Sequence, residues 1–160
     1  MLVISRQQPP VRNDIAGSGE FLAQRGLRVH YGIDYQLAAG EAVLLARTCA
    51  FSKTGQAYSH APEFRYIEFR DGAWFVRYFY VEPREALMVG DTMIEGEFIG
   101  KSQAVGQHYA NGMQDHVHVE VFQPGDIGDT IPDEIKHTFD LKKNRTYVDP
   151  AAYFRSDLPG

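Results

Sequence analysis

One short stretch of the chain, HVHVE at residues 116–120, places two histidines where they can act together. Side chains two residues apart in a β-strand point the same way, so His116 and His118 share one face. The opposite face carries Val117, Val119 and Val121. The pattern predicts a strand with one apolar face for the core and a second face that presents two imidazoles.

A second stretch, HYGID at residues 30–34, supplies another histidine and a carboxylate. His30 and Asp34 have a helical spacing, but Gly32 between them favours a loop or strand edge and lets the chain bend. Imidazole nitrogens and carboxylate oxygens are standard zinc ligands, and three protein ligands leave the fourth tetrahedral position open for water. His30, Asp34 and one of the two paired histidines are therefore a candidate catalytic zinc site.

Both stretches lie within a longer pattern that resembles the lysostaphin-type peptidoglycan endopeptidases, zinc enzymes that cut peptide cross-links in bacterial cell walls. The resemblance begins near Gly17 and Gly19, covers most of the chain and keeps the family's order of motifs. Its segments are RGLRVHYGIDY (25–35), AAGEAV (38–43), VGDTMIEGEFIG (89–100), DHVHVEV (115–121) and VDPAAYF (148–154). It implies one peptidase domain over residues 1–160. The implied fold is all-β, mainly antiparallel sheet of the barrel-sandwich or duplicated hybrid motif type, with one or two short peripheral helices.

The resemblance also implies roles for individual residues. His30, Asp34 and His118 are the expected ligands of one zinc ion per chain, and His116 is the expected catalytic residue beside the metal. His116 would orient or deprotonate the zinc-activated water, or stabilise the tetrahedral intermediate, and then protonate the leaving amine. Glu120 shares the strand face and either fixes the tautomer of a ligand or lies exposed at the rim. The expected substrates are stem or cross-link peptides of peptidoglycan.

One position departs from the family pattern. The lysostaphin-type enzymes usually carry a further catalytic histidine in a segment similar to RYFYVEP (77–83), and here that position is Tyr80. A neutral phenol can donate a hydrogen bond to an oxyanion but is a poor base near neutral pH. The expected function is a zinc endopeptidase in which Tyr80 supports the oxyanion. The alternative is a zinc-binding domain of the same fold that binds wall fragments or a protein partner without cutting.

Two observations bear on this alternative. The segment around Tyr80 is also similar to that of the leukocyte-derived chemotaxin group, which keeps the zinc ligands and the fold but works as a secreted binding protein. This chain lacks the several cysteines of that group, which argues against a close relationship. His60 and His108 fall in predicted loops, and they either compensate for Tyr80 or are ordinary surface residues.

Composition excludes several other functions. The 160 residues carry a net charge of −5 and no cluster of Lys and Arg, which argues against nucleic acid or an anionic membrane surface as a partner. No apolar stretch approaches the ~20 residues of a membrane span. Cys49 is the only cysteine, so no disulfide forms within the chain. Its apolar surroundings, AVLLARTCAF at 42–51, predict a buried side chain.

The N-terminal residues, MLVISRQQPPVRND, lack the charged start and apolar region of a secretory signal. An enzyme of this kind acts outside the cytoplasm, in the periplasm or cell wall. We therefore expect delivery on a phage particle, through an injection system or by lysis of the producing cell.

The remaining pattern predicts a β-rich domain with frequent turns. The clearest strand candidates are rich in Val, Ile, Phe and Tyr and cover residues 42–51, 64–70, 73–81, 97–101 and 116–122. The dipeptide DG at 71–72 predicts a two-residue hairpin loop. That loop would place Phe69 opposite Trp74 and Ile67 opposite Val76.

Two segments near the site have less regular patterns. Residues 103–115 show no sustained period and are expected to form a loop that overhangs the metal site. Asp149 followed by Pro150 predicts the cap and first turn of a final short helix.

Residues 124–147 match the family pattern poorly and are expected to be an insertion. Pro132 lies near the start of an apolar series that recurs every four residues, which predicts a short surface helix. The series is Ile131, Ile135 and Phe139.

Overall fold

The structure, a computed structural model, describes residues 4–109, 111–155 and 158. The regular structure consists mainly of strands, which are β1 (Asn13–Asp14), β2 (Gly17–Ser18), β3 (Gln24–Arg25), β4 (Arg28–Val29), β5 (Ile33–Gln36), β6 (Ala42–Leu44), β7 (Cys49–Gln56), β8 (Arg65–Asp71), β9 (Trp74–Phe79), β10 (Val81–Pro83), β11 (Thr92–Met93), β12 (Phe98–Ser102), β13 (His116–Pro124), β14 (His137–Asp140) and β15 (Arg145–Val148). The helices are α1 (Val105–Tyr109), a 3-10 turn (Gly128–Thr130) and α2 (Pro150–Phe154). The prediction of an all-β fold with short peripheral helices is confirmed.

One eight-stranded antiparallel sheet organises the domain. Its strands follow the order β11-β7-β8-β9-β13-β15-β14, and β5 also pairs with β13. A second sheet has the order β10-β12-β6, and two small hairpins join β1 to β2 and β3 to β4. In the described ranges the sheets do not close into a barrel. No described helix is long and apolar enough to span a membrane.

Strand β13 is the central strand of the large sheet, because it pairs with β9, β5 and β15. Its valines, Val117, Val119 and Val121, are fully buried in the main hydrophobic core. The predicted division of this strand into an apolar face and a polar face is confirmed.

The hairpin between β8 and β9 turns one residue later than the sequence predicts. Asp71 pairs with Trp74, so the two loop residues are Gly72 and Ala73. Gly72 has a φ of +59°, and two-residue turns of type II′ require glycine at their first central position. Gly72 therefore occupies the first loop position, and Asp71 remains in the strand.

This shift moves every cross-strand pair of the hairpin by two residues. Phe69 faces Val76 rather than Trp74, and Ile67 faces Tyr78 rather than Val76. The predicted pairs are wrong, although both strands exist.

The helix predicted within residues 124–147 is wrong. Ile131 and Ile135 are buried in the core, and Phe139 lies in β14, which pairs with β15 at the edge of the large sheet. The spacing of four arises because the two isoleucines anchor an irregular segment, and the chain then extends into a strand. The status of the segment as an insertion stays a prediction.

Other boundaries differ from expectation in smaller ways. Residues 42–51 contain two strands, β6 and the start of β7, instead of one. Residues 73–81 are divided at Tyr80, which has a left-handed φ of +66°. The expected loop at 103–115 begins with the short helix α1. The predicted final helix is confirmed, since the Asp149 side chain accepts a hydrogen bond from the backbone N–H of Ala151 at 3.0 Å.

The predicted burial of Cys49 is also confirmed, because the residue is 8% exposed. Burial raises the pKa of its thiol to about 12. A thiol that stays protonated near neutral pH is a packing residue and not a nucleophile.

Candidate metal centre

Pairing of β5 with β13 brings the two metal-binding stretches together. Asp34 lies directly opposite His118 in the strand register, and His30 precedes β5 by three residues. Gly32 supplies space for this approach, because a Cβ there would lie 2.3 Å from the Val119 carbonyl oxygen and 2.7 Å from His118 Cε1. The contribution of Gly32 is thus close packing rather than the bend expected from the sequence.

Three potential ligand atoms converge in this arrangement. His118 Nδ1 lies 2.8 Å from Asp34 Oδ1, and His30 Nε2 lies 3.1 Å from both of these atoms. Atoms bound to one tetrahedral zinc at ~2.0–2.1 Å are about 3.3 Å apart, so the spacing is close to that of a zinc site. Among the described residues, His30, Asp34 and His118 form the one group of potential ligands whose atoms lie close enough together to hold a metal ion.

The outer nitrogen of each histidine has its own hydrogen-bond partner. His30 Nδ1 donates to the Glu20 carbonyl oxygen at 3.0 Å, and His118 Nε2 donates to the Glu120 carboxylate at 3.0 Å. Because these partners only accept, the outer nitrogens keep their protons. A proton on an inner nitrogen makes the hydrogen bond to Asp34, and a cation that displaced this proton would meet the inner lone pairs. One proton can form a hydrogen bond between two of the three inner atoms, whereas a bound cation would contact all three.

The charges of the centre also favour a cation. Burial opposes ionisation of Asp34, but hydrogen bonds from His118 and His30 outweigh it and hold the pKa of Asp34 well below its usual value. Burial likewise opposes charge on His118, but Asp34 and Glu120 together raise the pKa of His118 to about 9. The pKa of Glu120 is lowered, because its hydrogen bond to His118 outweighs burial. Two ionised carboxylates therefore flank His118 and favour positive charge at this centre.

Arg12 is a residue of this site that sequence reasoning missed. Its guanidinium is 1% exposed and contacts the second Asp34 oxygen, Oδ2, at 3.3 Å from Nε and 3.2 Å from Nη2. Arg12 also donates to Asp14 Oδ1 at 2.7 Å. An arginine in a polar N-terminal segment gives no local signal of burial. Only the backbone pairing of Arg12 with Asp34 and Gly19 reveals its position.

His116 lies beside the trio and outside it. Its Nδ1 donates to the Gln114 carbonyl oxygen at 2.9 Å, and its Nε2 lies 3.7 Å from Asp34 Oδ2. Burial lowers the pKa of His116, although the charge of Asp34 works in the opposite direction. The ring is thus held with a bare Nε2 on the side of the candidate ligands.

Tyr80 follows β9 and presents its ring edge-on to His116, with ring centres 5.2 Å apart. Its hydroxyl bonds to that of Tyr58 at 2.7 Å, and the Tyr58 hydroxyl also bonds to that of Tyr109. Burial and the neighbouring Tyr58 raise the pKa of Tyr80 well above its usual value. The hydroxyls of Tyr80, Tyr58 and Tyr109 thus form a hydrogen-bonded phenol chain. The sequence identified Tyr80 but not Tyr58 or Tyr109, because their spacing along the chain does not indicate that they lie together.

The two histidines that were predicted to lie in loops, His60 and His108, pack against the phenol chain, and His108 lies in α1. His60 and His108 stack on each other with ring centres 5.5 Å apart, and both contact the Tyr58 ring. Neither is among the described residues that line the groove over the metal centre. His60 contacts the site through Tyr58, whereas His108 also contacts the ring of Tyr109, with ring centres 5.2 Å apart.

The candidate ligands open onto a groove of about 490 Å³. His116, Tyr58 and Tyr80 line it, together with Tyr109 and Met113 of the 103–115 segment. The expectation that this segment borders the site is thus supported by its position.

Several solved structures share this fold. The solution structure of lysostaphin superposes with a TM-score of 0.59 at 19% identity, covering 95% of this chain and 55% of that chain. The catalytic domain of lysostaphin from Staphylococcus simulans gives 0.54 at 15% identity, covering 93% of this chain and 92% of that chain. A zinc-containing peptidase from Vibrio cholerae gives 0.50 at 18% identity, covering 74% of this chain and 36% of that chain.

This chain spans about half the length of the lysostaphin chain that it matches. No protein-family model and no curated protein matches it. The fold that the chain shares with these solved structures agrees with the resemblance found in the sequence. The chain has the lysostaphin-type peptidase fold.

Proposed function

We propose that the protein is a zinc-dependent endopeptidase that hydrolyses peptide cross-links of bacterial peptidoglycan. The observation that carries this proposal is the convergence of His30 Nε2, Asp34 Oδ1 and His118 Nδ1 within 3.1 Å of one another. The shared fold supports it, since the similar structures include peptidases, one of them described as zinc-containing. The proposed site of action is the cell wall, outside the cytoplasm.

The donor set of two imidazoles and one carboxylate suits zinc and leaves a coordination position for water or substrate. A bound zinc ion supplies a Lewis acid that polarises the scissile carbonyl and lowers the pKa of water from about 16 to near 7. Glu120 and the Glu20 carbonyl hold the two imidazoles in the required tautomers. Arg12 holds the second oxygen of Asp34 and so directs Oδ1 to the centre.

His116 is the proposed general base and acid. Its Nδ1 proton is given to the Gln114 carbonyl, so the Nε2 lone pair is free to accept a proton from the attacking water. The same nitrogen then passes that proton to the leaving amine. General acid–base catalysis of this kind contributes typically ~10²–10⁴-fold in rate.

Tyr80 is the proposed hydrogen-bond donor to the oxyanion. When Tyr109 donates to Tyr58 and Tyr58 donates to Tyr80, the hydrogen of the Tyr80 hydroxyl is left free to point into the groove. The raised pKa of Tyr80 keeps this hydrogen on the phenol near neutral pH. Tyr80 therefore donates and does not act as a base.

Digestion of purified sacculi tests the proposal. The zinc-loaded protein should release free amines, and a chelator should stop the release. His116→Ala should lower the rate ~10²–10⁴-fold while zinc stays at one ion per chain. His137→Ala is the matched control, because His137 lies in β14 and outside the lining of the groove. Full activity in His116→Ala would contradict the assigned role.

A second candidate function is a zinc-binding domain that binds wall peptides or a protein partner without cutting. The feature that favours it is Tyr80, since the resemblance implies that a phenol takes the position of the family's further histidine. This candidate predicts one zinc ion per chain and tight binding to sacculi, with no new amine after long incubation. Mass analysis of the soluble products separates the two candidates.

A further inference from the structure

The two ends of the groove differ in chemistry. The polar face of β13 presents His116, His118 and Glu120 in succession, about 6.6 Å apart for every two residues. The His116 end is bordered by the neutral phenols of Tyr58 and Tyr80. At the other end, Glu120 lies opposite Arg77 of β9.

Positive charge is concentrated in the groove of an otherwise acidic protein. The cationic side chains of the lining are Arg12, Arg25, Arg28, Arg77 and Lys143. The carboxylates in the same lining are those of Asp34 and Glu120, whereas the whole chain has a net charge of −5. An excess of positive over negative side chains in a cleft raises the local concentration of anionic ligands.

Three of these cations already have partners. Arg12 is bound by Asp34 and Asp14, and Arg77 forms an ion pair with Glu68 at 2.8 Å. Arg25 donates to the Ser18 carbonyl oxygen at 2.7 Å.

Arg28 and Lys143 differ from these three cations in having no carboxylate partner among the described residues. Both are exposed at the groove, and within residues 4–109, 111–155 and 158 neither forms an ion pair with a carboxylate. They are available to an anionic group of a bound molecule.

The position of Lys143 depends on the hairpin of β14 and β15, which lies in the segment predicted to be an insertion. Lys143 lies in the turn between β14 and β15, within the segment 124–147 that departs from the family pattern. Arg28 lies in β4, and Tyr31 just beyond it stacks on Tyr147 of β15 with ring centres 4.6 Å apart. This stacking holds the two hairpins side by side, so that both reach the groove.

We infer that Arg28 and Lys143 form a subsite for a carboxylate of the bound peptide. The inference rests on the proposed function and names its substrate class, which is a cross-link flanked by a residue with a free carboxylate. A bridge made of glycine alone offers no charge along its length, whereas stem peptides contain acidic residues. The phenol end then receives the uncharged side of the scissile bond.

A matched pair of peptides tests the subsite by calorimetry. Both have the sequence Ala-γ-Glu-Ala-Ala with blocked termini, and they differ in whether the α-carboxyl of the glutamyl residue is free or converted to an amide. The zinc-loaded His116→Ala variant prevents turnover during the measurement. The free carboxylate should bind about ten-fold more tightly, as expected for one charge-assisted hydrogen bond, and added salt should reduce the difference.

Substitution then locates the effect. Arg28→Gln combined with Lys143→Gln should bring the affinity ratio of the two peptides close to one and leave the affinity for the amide peptide unchanged. Lys142→Gln is the matched control, because Lys142 carries the same charge in the same turn but does not line the groove. That control should keep the full ratio.

The outcomes separate this inference from the proposed function. Equal binding of the two peptides by a protein that releases amines from sacculi overturns the subsite and leaves the endopeptidase standing. A ratio that Arg28→Gln and Lys143→Gln do not change also overturns it. Tighter binding of the carboxylate peptide, together with no release of amines from sacculi, supports the subsite and overturns the proposed endopeptidase activity.

Discussion

The metal centre and the rim of the groove are built in different ways. The centre lies on paired strands, where the register of β5 against β13 fixes Asp34 opposite His118. The rim comes from the short hairpins β3–β4 and β14–β15, which supply Arg28 and Lys143, and from a loop that supplies Tyr58. The difference shows that the sheet fixes the groups that would do the chemistry, while the connections supply the groups that would select the substrate.

The two regions also differ in how strongly their residues depend on one another. Every polar atom of Asp34 and both nitrogens of His30 and His118 have protein partners. Within the part of the chain that the structure describes, the side chains of Arg28 and Lys143 form no ion pair, although the charge of Lys143 helps to lower the pKa of Glu120. Substitutions in a shared network are coupled, whereas independent sites add. We therefore expect large, linked effects at the centre and small, separable effects at the rim.

The largest effect is expected for Asp34→Asn. Zinc affinity should fall by more than the ~10–100-fold that loss of an outer partner costs. The free energy of unfolding should also fall by about 3 kcal/mol, because Arg12 loses one partner of a buried ion pair while Asp14 remains. Elemental analysis and urea denaturation measure the two effects.

Asp133→Asn is the control for this substitution, since Asp133 is exposed and does not line the groove. It should change neither zinc content nor stability. Retention of one zinc ion per chain in Asp34→Asn would remove Asp34 from the ligand set.

A smaller effect at the centre is expected for Glu120→Gln. The amide keeps the size of the side chain but weakens the hydrogen bond that fixes the His118 tautomer, so zinc affinity should fall ~10–100-fold. Competition with a chelator measures it. Glu68→Gln is the matched control, because Glu68 is equally buried but pairs with Arg77 instead of a candidate ligand. Unchanged affinity in Glu120→Gln would assign Glu120 to packing alone.

The smallest effect is expected at the rim for Tyr58→Phe. Tyr80 loses the hydroxyl that orients it, so kcat should fall about three- to ten-fold, the value of one net hydrogen bond. KM and zinc content should stay the same. Tyr66→Phe is the control, since Tyr66 also lines the groove but its hydroxyl makes no hydrogen bond with a described residue. Equal losses in both variants would show that the phenol chain has no specific role.

The sequence predicted the centre better than the rim, for a physical reason. Alternation of His116, Val117 and His118 depends on the two-residue period of a strand, which holds wherever one face is buried. The convergence of His30 and Asp34 with His118 was expected from the family pattern, and the strand register places these residues together.

The missed features depend on contacts between distant residues. Burial of Arg12 follows from backbone pairing across the domain, and the phenol chain follows from the packing of α1 against Tyr58. The register of the β8–β9 hairpin depends on which loop position takes the glycine, a choice that local composition leaves open. The helix predicted around Ile135 fails because tertiary burial of apolar residues can mimic helical spacing.

The left-handed backbone at Tyr80 restricts how this position can evolve. Bulky β-branched residues are disfavoured at a φ of +66°, whereas histidine is among the residues enriched in that region. Tyrosine and histidine codons also differ by a single base. A lineage can therefore exchange phenol for imidazole here without rebuilding the junction between β9 and β10, so acid–base character at this position is open to selection while the scaffold stays fixed.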